Sequence, residues 1–388
     1  MAWNDRKKCF AKVEKLRPGR TLVALFNFDR ASDDANLGVN IIFNADMKEA
    51  LFRVLKETPK GKGIDLCLYT RGGDTNGVWP IVSLLREFDP EFEVLVPFRC
   101  HSAGTLLALG AKRVVLTELS ELSPIDPTTG NQFNPQDPAG KWLGISVEDV
   151  QAFRDFAQDQ VGGGNGVKSA QGVEAFMMKL VDRVHPLALG NVHRVHKQIQ
   201  RLAKELLALH PVKGRDSADA VKALTSEFQS HLHMISRQQA KETLGEQIAF
   251  ASRPLAAALD ELLRAYEDDF NLRRPFIVKS HLGDATIQEA TFVGGAVESR
   301  MWSYLFKTRG RLHQFSALPP NVQVQIPLGQ GMPLVPGLPR EHRFEMLSQT
   351  WEHNTEPQGV TKLWRRPKTD PLPGLRVIHA ERAVAAGY

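Results

Sequence analysis

Residues 64–73 read IDLCLYTRGG, and residues 92–109 read FEVLVPFRCHSAGTLLAL. Each segment opens with a short apolar run that is bounded by turn residues, which is typical of a buried β-strand. The first run ends at Gly72 and Gly73, and the second leads through Ser102 into an apolar stretch that predicts a short helix. The two segments therefore predict two strand–turn–helix units whose turns carry the glycine pair and the serine.

The sequence on either side continues the same alternation. A β-forming apolar run covers 21–28, apolar residues at helical spacing cover 46–55 and 77–88, and a further apolar run begins at 113–116. Strands that alternate with helices predict crossover connections and a parallel sheet. We therefore expect an α/β fold built from βαβ units in the first third of the chain.

The middle and the end of the chain differ in composition. Residues 127–145 are rich in Pro, Gly, Asn and Asp, which predicts a long surface loop. Further helices are expected at about 171–184, 187–209, 216–229 and 236–266. Residues 317–341 contain six prolines, which excludes a regular helix or a central strand. We expect a main domain over 1–270 and an accessory region of unknown role over 271–388, partly ordered with an irregular end.

Composition excludes several classes of protein. The 388 residues carry 49 basic and 44 acidic side chains, a net charge of +5 that is spread along the chain, so nucleic-acid binding is not expected. No apolar run approaches the ~20 residues of a membrane span. Three widely spaced cysteines indicate neither a disulfide framework nor a zinc site. With no apolar leader at the N-terminus, we expect a cytoplasmic protein without metal or cofactor.

The two turns have a chemical rationale. A glycine pair after a strand allows close backbone approach, and its N–H groups can donate to an oxyanion. Ser102 stands where a helix N-terminus presents free N–H groups, and the N–H of Ala103 is a natural second donor. The alternative is that Ser102 only caps the helix, a common role of serine.

Several motifs resemble the serine dehydrogenase proteinase family, which is grouped with signal peptide peptidase A and ClpP in the ClpP/crotonase-like superfamily. The motifs are YTRGGDT at 69–75, VLVP at 94–97, HSAGTLLALGA at 101–111, LSPIDP at 122–127, VHPLALGNV at 184–192 and SHLHMIS at 230–236. The resemblance covers about residues 20–250. It implies a ClpP/crotonase-like spiral of βαβ units with following helices. By the resemblance Ser102 would be the nucleophile, and the N–H groups of Gly72, Gly73 and Ala103 would form the oxyanion hole.

The general base is not identified by any motif. ClpP-type proteases use a histidine that is oriented by an aspartate, whereas signal peptide peptidase A enzymes use a lysine. His185 with Asp126 is the pair that we favour, because histidine is the better base near neutral pH. His231 and Lys141 stay open as alternatives. A capping role for His185 and a turn-forming role for Asp126 before Pro127 compete with catalysis.

These observations predict a serine hydrolase, namely an ATP-independent peptidase that works through an acyl-enzyme on Ser102. The sequence does not indicate a phosphate-binding loop, because the stretch GGGNGVKS at 162–169 lacks the Gly-Lys-Ser order of that motif. The alternative is a catalytically silent scaffold of the same fold that binds a partner. We expect a peptide or protein substrate and, by the resemblance, a homo-oligomer. Membrane-linked relatives leave peripheral membrane association open.

Overall fold

The computed structural model describes most of the chain. The described residues are 3–33, 37, 40–125, 128–137, 140, 142–161, 170–212, 216–228, 233–316 and 339–354. The helices are α1 (Trp3–Leu16), α2 (Met47–Lys56), α3 (Val78–Phe88), α4 (Ala103–Leu109), α5 (Val147–Val161), α6 (Ala170–Val181), α7 (Pro186–Ala208), α8 (Ser217–Lys222), α9 (Arg237–Leu244), α10 (Arg253–Asp269) and α11 (Val278–Leu282). The main-sheet strands are β1 (Arg20–Asn27), β2 (Gly63–Tyr69), β3 (Glu93–Val96), β5 (Arg113–Leu116), β10 (Ile248–Phe250), β11 (Ile287–Ser299), β12 (Ser303–Ser316) and β13 (Arg340–His353). The remaining short strands are β4 (Arg99–Cys100), β6 (Glu121–Leu122), β7 (Thr128–Thr129), β8 (Ile145–Ser146) and β9 (Ile235–Ser236).

One sheet of eight strands organises the molecule. Its order is β10-β5-β3-β2-β1-β11-β12-β13, parallel from β10 to β1 and antiparallel from β1 to β13. A smaller sheet of β4, β6 and β9 lies beside the carboxyl end of β2, where Thr70 bridges to Cys100. The predicted α/β fold with a parallel sheet in the first third of the chain is confirmed.

The alternation of side chains along β1 divides the core in two. Val23 and Leu25 pack on one face with α2, α3, α4 and α7, while Leu22, Ala24 and Phe26 pack on the other face with α1 and α10. Successive strand residues point to opposite faces, so a strand that is covered on both sides reads as a continuous apolar run. The central strands are therefore held rigidly between two layers of helices.

The sequence-based prediction of one helix over 236–266 is wrong in its middle. Gly245 adopts φ +63°, a left-handed conformation that ends α9, and Ile248–Phe250 then pairs with β5 as an edge strand of the sheet. A second helix, α10, starts only at Arg253. A three-residue strand has too few positions to show a period, so the helical spacing on both sides concealed it.

The C-terminal part contributes β11, β12 and β13 to the main sheet. β11 pairs antiparallel with β1, placing Val23 opposite Ser299 and Asn27 opposite Gly295. A third apolar cluster lies under the far end of these strands and includes Phe276, Phe292 and Leu312. The division into 1–270 and 271–388, with an accessory role for the second part, stays a prediction; most of the proline-rich segment lies outside the described residues.

Among the described helices, none combines the length with the apolar character that a membrane crossing needs.

Candidate active site

Ser102 lies in a strained turn between β4 and α4. Its backbone has φ +47° and ψ −108°, and Ser102 and Asn271 are the non-glycine residues with positive φ in the described part of the chain. A residue with a side chain in such a conformation costs about 1–3 kcal/mol, and such residues cluster at functional sites. Although Ser102 stands at the N-cap position, its side chain makes no capping hydrogen bond. The structure therefore does not support the alternative that Ser102 is a simple helix cap.

Hydrogen bonds from neighbouring segments hold the turn in place. The Ser102 N–H donates to Ser123 Oγ at 2.8 Å, and the Ser123 N–H donates to Thr105 Oγ1 at 3.2 Å. The Thr105 hydroxyl in turn donates to the Cys100 carbonyl at 2.8 Å. These bonds stabilise the strained turn from both sides. Ser123 belongs to the LSPIDP motif, but nothing in that motif indicated a bond to Ser102.

Gly72 packs directly against Ser102. It has φ +96°, and a Cβ atom placed on it would lie 2.8 Å from Ser102 Cβ and 3.4 Å from Ser102 Oγ. Only glycine adopts this backbone at little cost and leaves room for the serine. The Gly72 N–H already donates to Thr70 Oγ1 at 3.0 Å, so it binds a substrate oxygen only if that bond breaks.

Gly73 is held by a neighbouring backbone segment. The Phe43 N–H donates to the Gly72 carbonyl at 2.9 Å, and the Asp74 N–H donates to the Phe43 carbonyl at 2.7 Å. A Cβ atom on Gly73 would collide with the Phe43 backbone. Within the described residues, neither the Gly73 N–H nor the N–H of Ala103 donates to a protein acceptor. Two such N–H groups beside a serine are suited to stabilising an oxyanion.

The His101 side chain faces a carboxylate rather than Ser102. His101 Nε2 lies 3.0 Å from Glu121 Oε1. Burial lowers the pKa of the His101 imidazole, Arg71 and Arg99 act in the same direction, and Glu121 opposes them. No sequence motif indicated the contact between His101 and Glu121.

His185, the favoured base, caps a helix. Its Nδ1 accepts from the Leu187 N–H at 3.1 Å, and its ring stacks on Phe133 with 4.9 Å between centroids. Thirteen residues further along α7, Gln198 donates to Asn76 at 3.0 Å, close to the glycine loop. Since a helix rises 1.5 Å per residue, His185 lies about 20 Å along α7 from that contact. No described contact joins His185 to Ser102.

Three other predicted residues cannot be placed in this arrangement. Asp126, Lys141 and His231 lie outside the described residues. Their roles stay predictions. The structure brings together Gly72, Gly73, Ser102 and Ala103, which are four of the six residues predicted for catalysis and oxyanion binding.

The resemblance that the motifs indicated is confirmed by comparison with known families. Residues 2–139 match the family model of the ClpP-like SDH-type serine proteinases. The matched segment contains both the glycine pair and Ser102, so it supports a serine peptidase.

Two proteins of Methanocaldococcus jannaschii, both carrying the name "uncharacterized protein", are similar to part of the chain. One is 37% identical over 87 residues, which are 22% of this chain and 30% of the relative. The other is 26% identical over 125 residues, which are 32% of this chain and 42% of the relative. The chain thus matches less than half the length of either relative.

A solved structure of a membrane-bound stomatin-specific protease, in a serine-to-alanine mutant form, aligns with 53% of this chain and 72% of its own. The two are 12% identical, and the TM-score is 0.29. That score is too low to support a common arrangement of the aligned regions.

Proposed function

We propose that the protein is a serine peptidase in which Ser102 attacks the scissile carbonyl. The observation that carries the proposal is the backbone of Ser102, which is strained at a strand-to-helix turn and lies against Gly72. This is the local geometry of a nucleophile elbow, where a sharp turn exposes the hydroxyl and a helix N-terminus follows. A purely structural serine has no need of such strain.

The reaction would proceed through an acyl-enzyme. Ser102 Oγ forms a bond to the carbonyl carbon, its proton passes to a base, and the oxyanion accepts from the N–H groups of Gly73 and Ala103. Cleavage of the C–N bond then releases the amine, which takes the proton from the base. Water hydrolyses the ester and regenerates Ser102. Gly72 would contribute by allowing the two loops to approach, since its own N–H is bonded to Thr70.

A general base must take the proton of the Ser102 hydroxyl. We propose His185 with Asp126 as the first pair to test, and Lys141 and His231 as the alternatives. With Nδ1 of His185 accepting from Leu187, the free nitrogen for proton transfer would be Nε2. For His185 and Asp126 to act on Ser102, the N-terminal end of α7 would have to approach the Ser102 turn.

The test is labelling by a fluorophosphonate, which phosphonylates an activated serine. We expect the full chain to be labelled and Ser102→Ala not to be labelled. Ser123→Ala is the matched control, because Ser123 is a buried serine in the same neighbourhood whose loss should slow labelling without abolishing it. Labelling that persists in Ser102→Ala would contradict the proposal. Among His185→Ala, Lys141→Ala and His231→Ala, the variant that loses labelling identifies the base.

The alternative function is a catalytically silent scaffold that binds a partner. It is favoured by one observation, namely that within the described residues the Ser102 hydroxyl makes no hydrogen bond to a histidine or lysine side chain. A folded wild-type protein that no fluorophosphonate labels would support this alternative.

We also propose that the protein acts on peptides or proteins, needs no ATP and forms a homo-oligomer. Cleavage of a quenched fluorogenic peptide library without ATP would test the first two. Light scattering at several concentrations would test the third, and a constant monomer mass would contradict it.

A further inference from the structure

A chain of ion pairs begins at Asp29, two residues beyond β1. The Tyr69 hydroxyl donates to Asp29 Oδ1 at 2.6 Å, and Arg99 Nη1 lies 2.5 Å from Asp29 Oδ2. Arg71 Nε lies 3.6 Å from the same Oδ2. Asp29 therefore contacts Arg71, which directly precedes Gly72, and Arg99, which is the first residue of β4.

Arg99 extends the chain to the Ser102 turn. Its Nε donates to Glu121 Oε1 at 3.1 Å, and the same oxygen lies 3.0 Å from His101 Nε2. The guanidinium also stacks over Phe98, 4.3 Å from the ring centroid. Asp29 and Glu121 are only 13% and 14% exposed, so solvent screens the pairs that they make with Arg99 less than ordinary surface pairs. The Arg71 side chain is 61% exposed, so its contact with Asp29 is screened more.

We propose that Asp29, Arg99 and Glu121 are positioning residues that set the distance between the glycine loop and the Ser102 turn. The proposal rests on the proposed peptidase function. The network reaches the loop through Tyr69 and Arg71, and the turn through Arg99 and His101. Arg71 and His101 are each adjacent in sequence to a residue of the site. Oxyanion stabilisation depends on donor distances of 2.7–3.1 Å, and a misplacement of about 1 Å can reduce the rate about a hundredfold. The planar guanidinium of Arg99 can bridge two carboxylates, whereas a lysine ammonium is a single point charge.

The chain offers a matched control at the opposite end of the strands. Arg17 also bridges two carboxylates, with Nε 2.8 Å from Asp65 and Nη2 2.6 Å from Glu93. These carboxylates lie at the starts of β2 and β3, away from the carboxyl ends that carry the site. Arg17 and Arg99 are similarly buried, at 18% and 27% exposed.

The experiment compares Arg99→Lys with Arg17→Lys in the full chain. The readouts are the saturating rate of fluorophosphonate labelling, the probe concentration at half-saturation and the urea midpoint of unfolding. We expect the saturating rate to fall about ten- to a hundredfold in Arg99→Lys with little change in half-saturation. Arg17→Lys should lower the midpoint but leave the labelling rate unchanged. Equal rates in wild type and Arg99→Lys would overturn the inference.

A second variant keeps the test decisive if Arg99→Lys does not fold. Asp29→Asn keeps the shape of the side chain and an acceptor for Tyr69 but removes the charge that Arg71 and Arg99 contact. A reduced rate supports the inference, and an unchanged rate contradicts it. A wild-type protein that is not labelled at all would contradict the proposed function, and the inference would fall with it. A labelled wild type with unaffected variants would contradict the inference alone.

Discussion

The parallel half of the sheet, from β10 to β1, and the antiparallel half, from β11 to β13, are buried in different ways. Residues 21–27 of β1 are all buried, because helices cover both faces. Along β12, buried residues alternate with half-buried ones over most of the strand, and β13 is largely exposed. This is the usual contrast between parallel strands inside an α/β layer and antiparallel strands with one face to solvent.

The difference explains where the candidate site lies. Parallel strands place all their carboxyl ends at one edge of the sheet, where each turn leads into a helix. The loop after β2 and the turn after β4 meet at that edge, bringing Gly72 against Ser102. Because β11, β12 and β13 alternate in direction, their carboxyl ends do not all lie at one edge of the sheet. The antiparallel half instead extends the sheet beyond β1.

The largest expected effect concerns the contact between the two halves. Arg6 of α1 is 2% exposed and donates to both carboxylate oxygens of Glu298 on β11, at 2.8 and 3.0 Å. Arg6→Met leaves the Glu298 carboxylate buried without this cation, so we expect a loss of about 3–5 kcal/mol in unfolding free energy, measured by urea denaturation. Lys8→Met is the control, because Lys8 is 79% exposed. A single shifted transition would show that the halves unfold together, and a loss below about 1 kcal/mol would contradict the prediction.

The next effect concerns the site in the parallel half. Gly72→Ala places a Cβ atom 2.8 Å from Ser102 Cβ at a φ of +96°. We expect the fluorophosphonate labelling rate to fall about a hundredfold, because the serine must move. Gly61→Ala is the matched control, since Gly61 has φ +78° with nothing within 4 Å of the added Cβ. A wild-type rate in Gly72→Ala would show that the close approach is not needed.

A smaller effect tests the strain at Ser102. Neither Ser102→Gly nor Ser102→Ala retains the hydroxyl, but only glycine relieves the cost of φ +47°. We expect Ser102→Gly to be more stable than Ser102→Ala by about 1 kcal/mol in urea unfolding. Equal stability of the two variants would argue against strain at this turn.

The smallest effect lies in the antiparallel half. A hydrogen bond from Arg309 on β12, supported by Lys307, lowers the pKa of Glu352 on β13 from 4.5 to about 2. The ionised carboxylate therefore stabilises the folded state above pH 4.5, and this contribution is lost as the pH falls toward 2. We expect Glu352→Gln to cost less than 1 kcal/mol at pH 7, since solvent screens the pair. Urea midpoints at pH 7 and pH 2 should show the difference shrinking, and a constant difference would contradict the assignment.

The accuracy of the sequence-based predictions follows the range of the interactions involved. A strand at 64–69 and a helix at 46–55 were predictable within a residue or two of Gly63–Tyr69 and Met47–Lys56, because their periodic apolar pattern is local. β10 was missed because three residues carry no period. The pairing of β11 with β1 joins residues more than 260 positions apart, and no local pattern encodes such a partner.

The sequence by itself determined the βα units, the glycine pair and the serine that open their turns, and the family that those motifs resemble. Only the tertiary structure decided that Gly72 touches Ser102, that Thr70 engages the Gly72 N–H, and that Glu121 faces His101. The physical reason is that periodicity and turn chemistry act between near neighbours in the chain. Distances across a site depend instead on strand order and on packing between segments that are far apart in sequence.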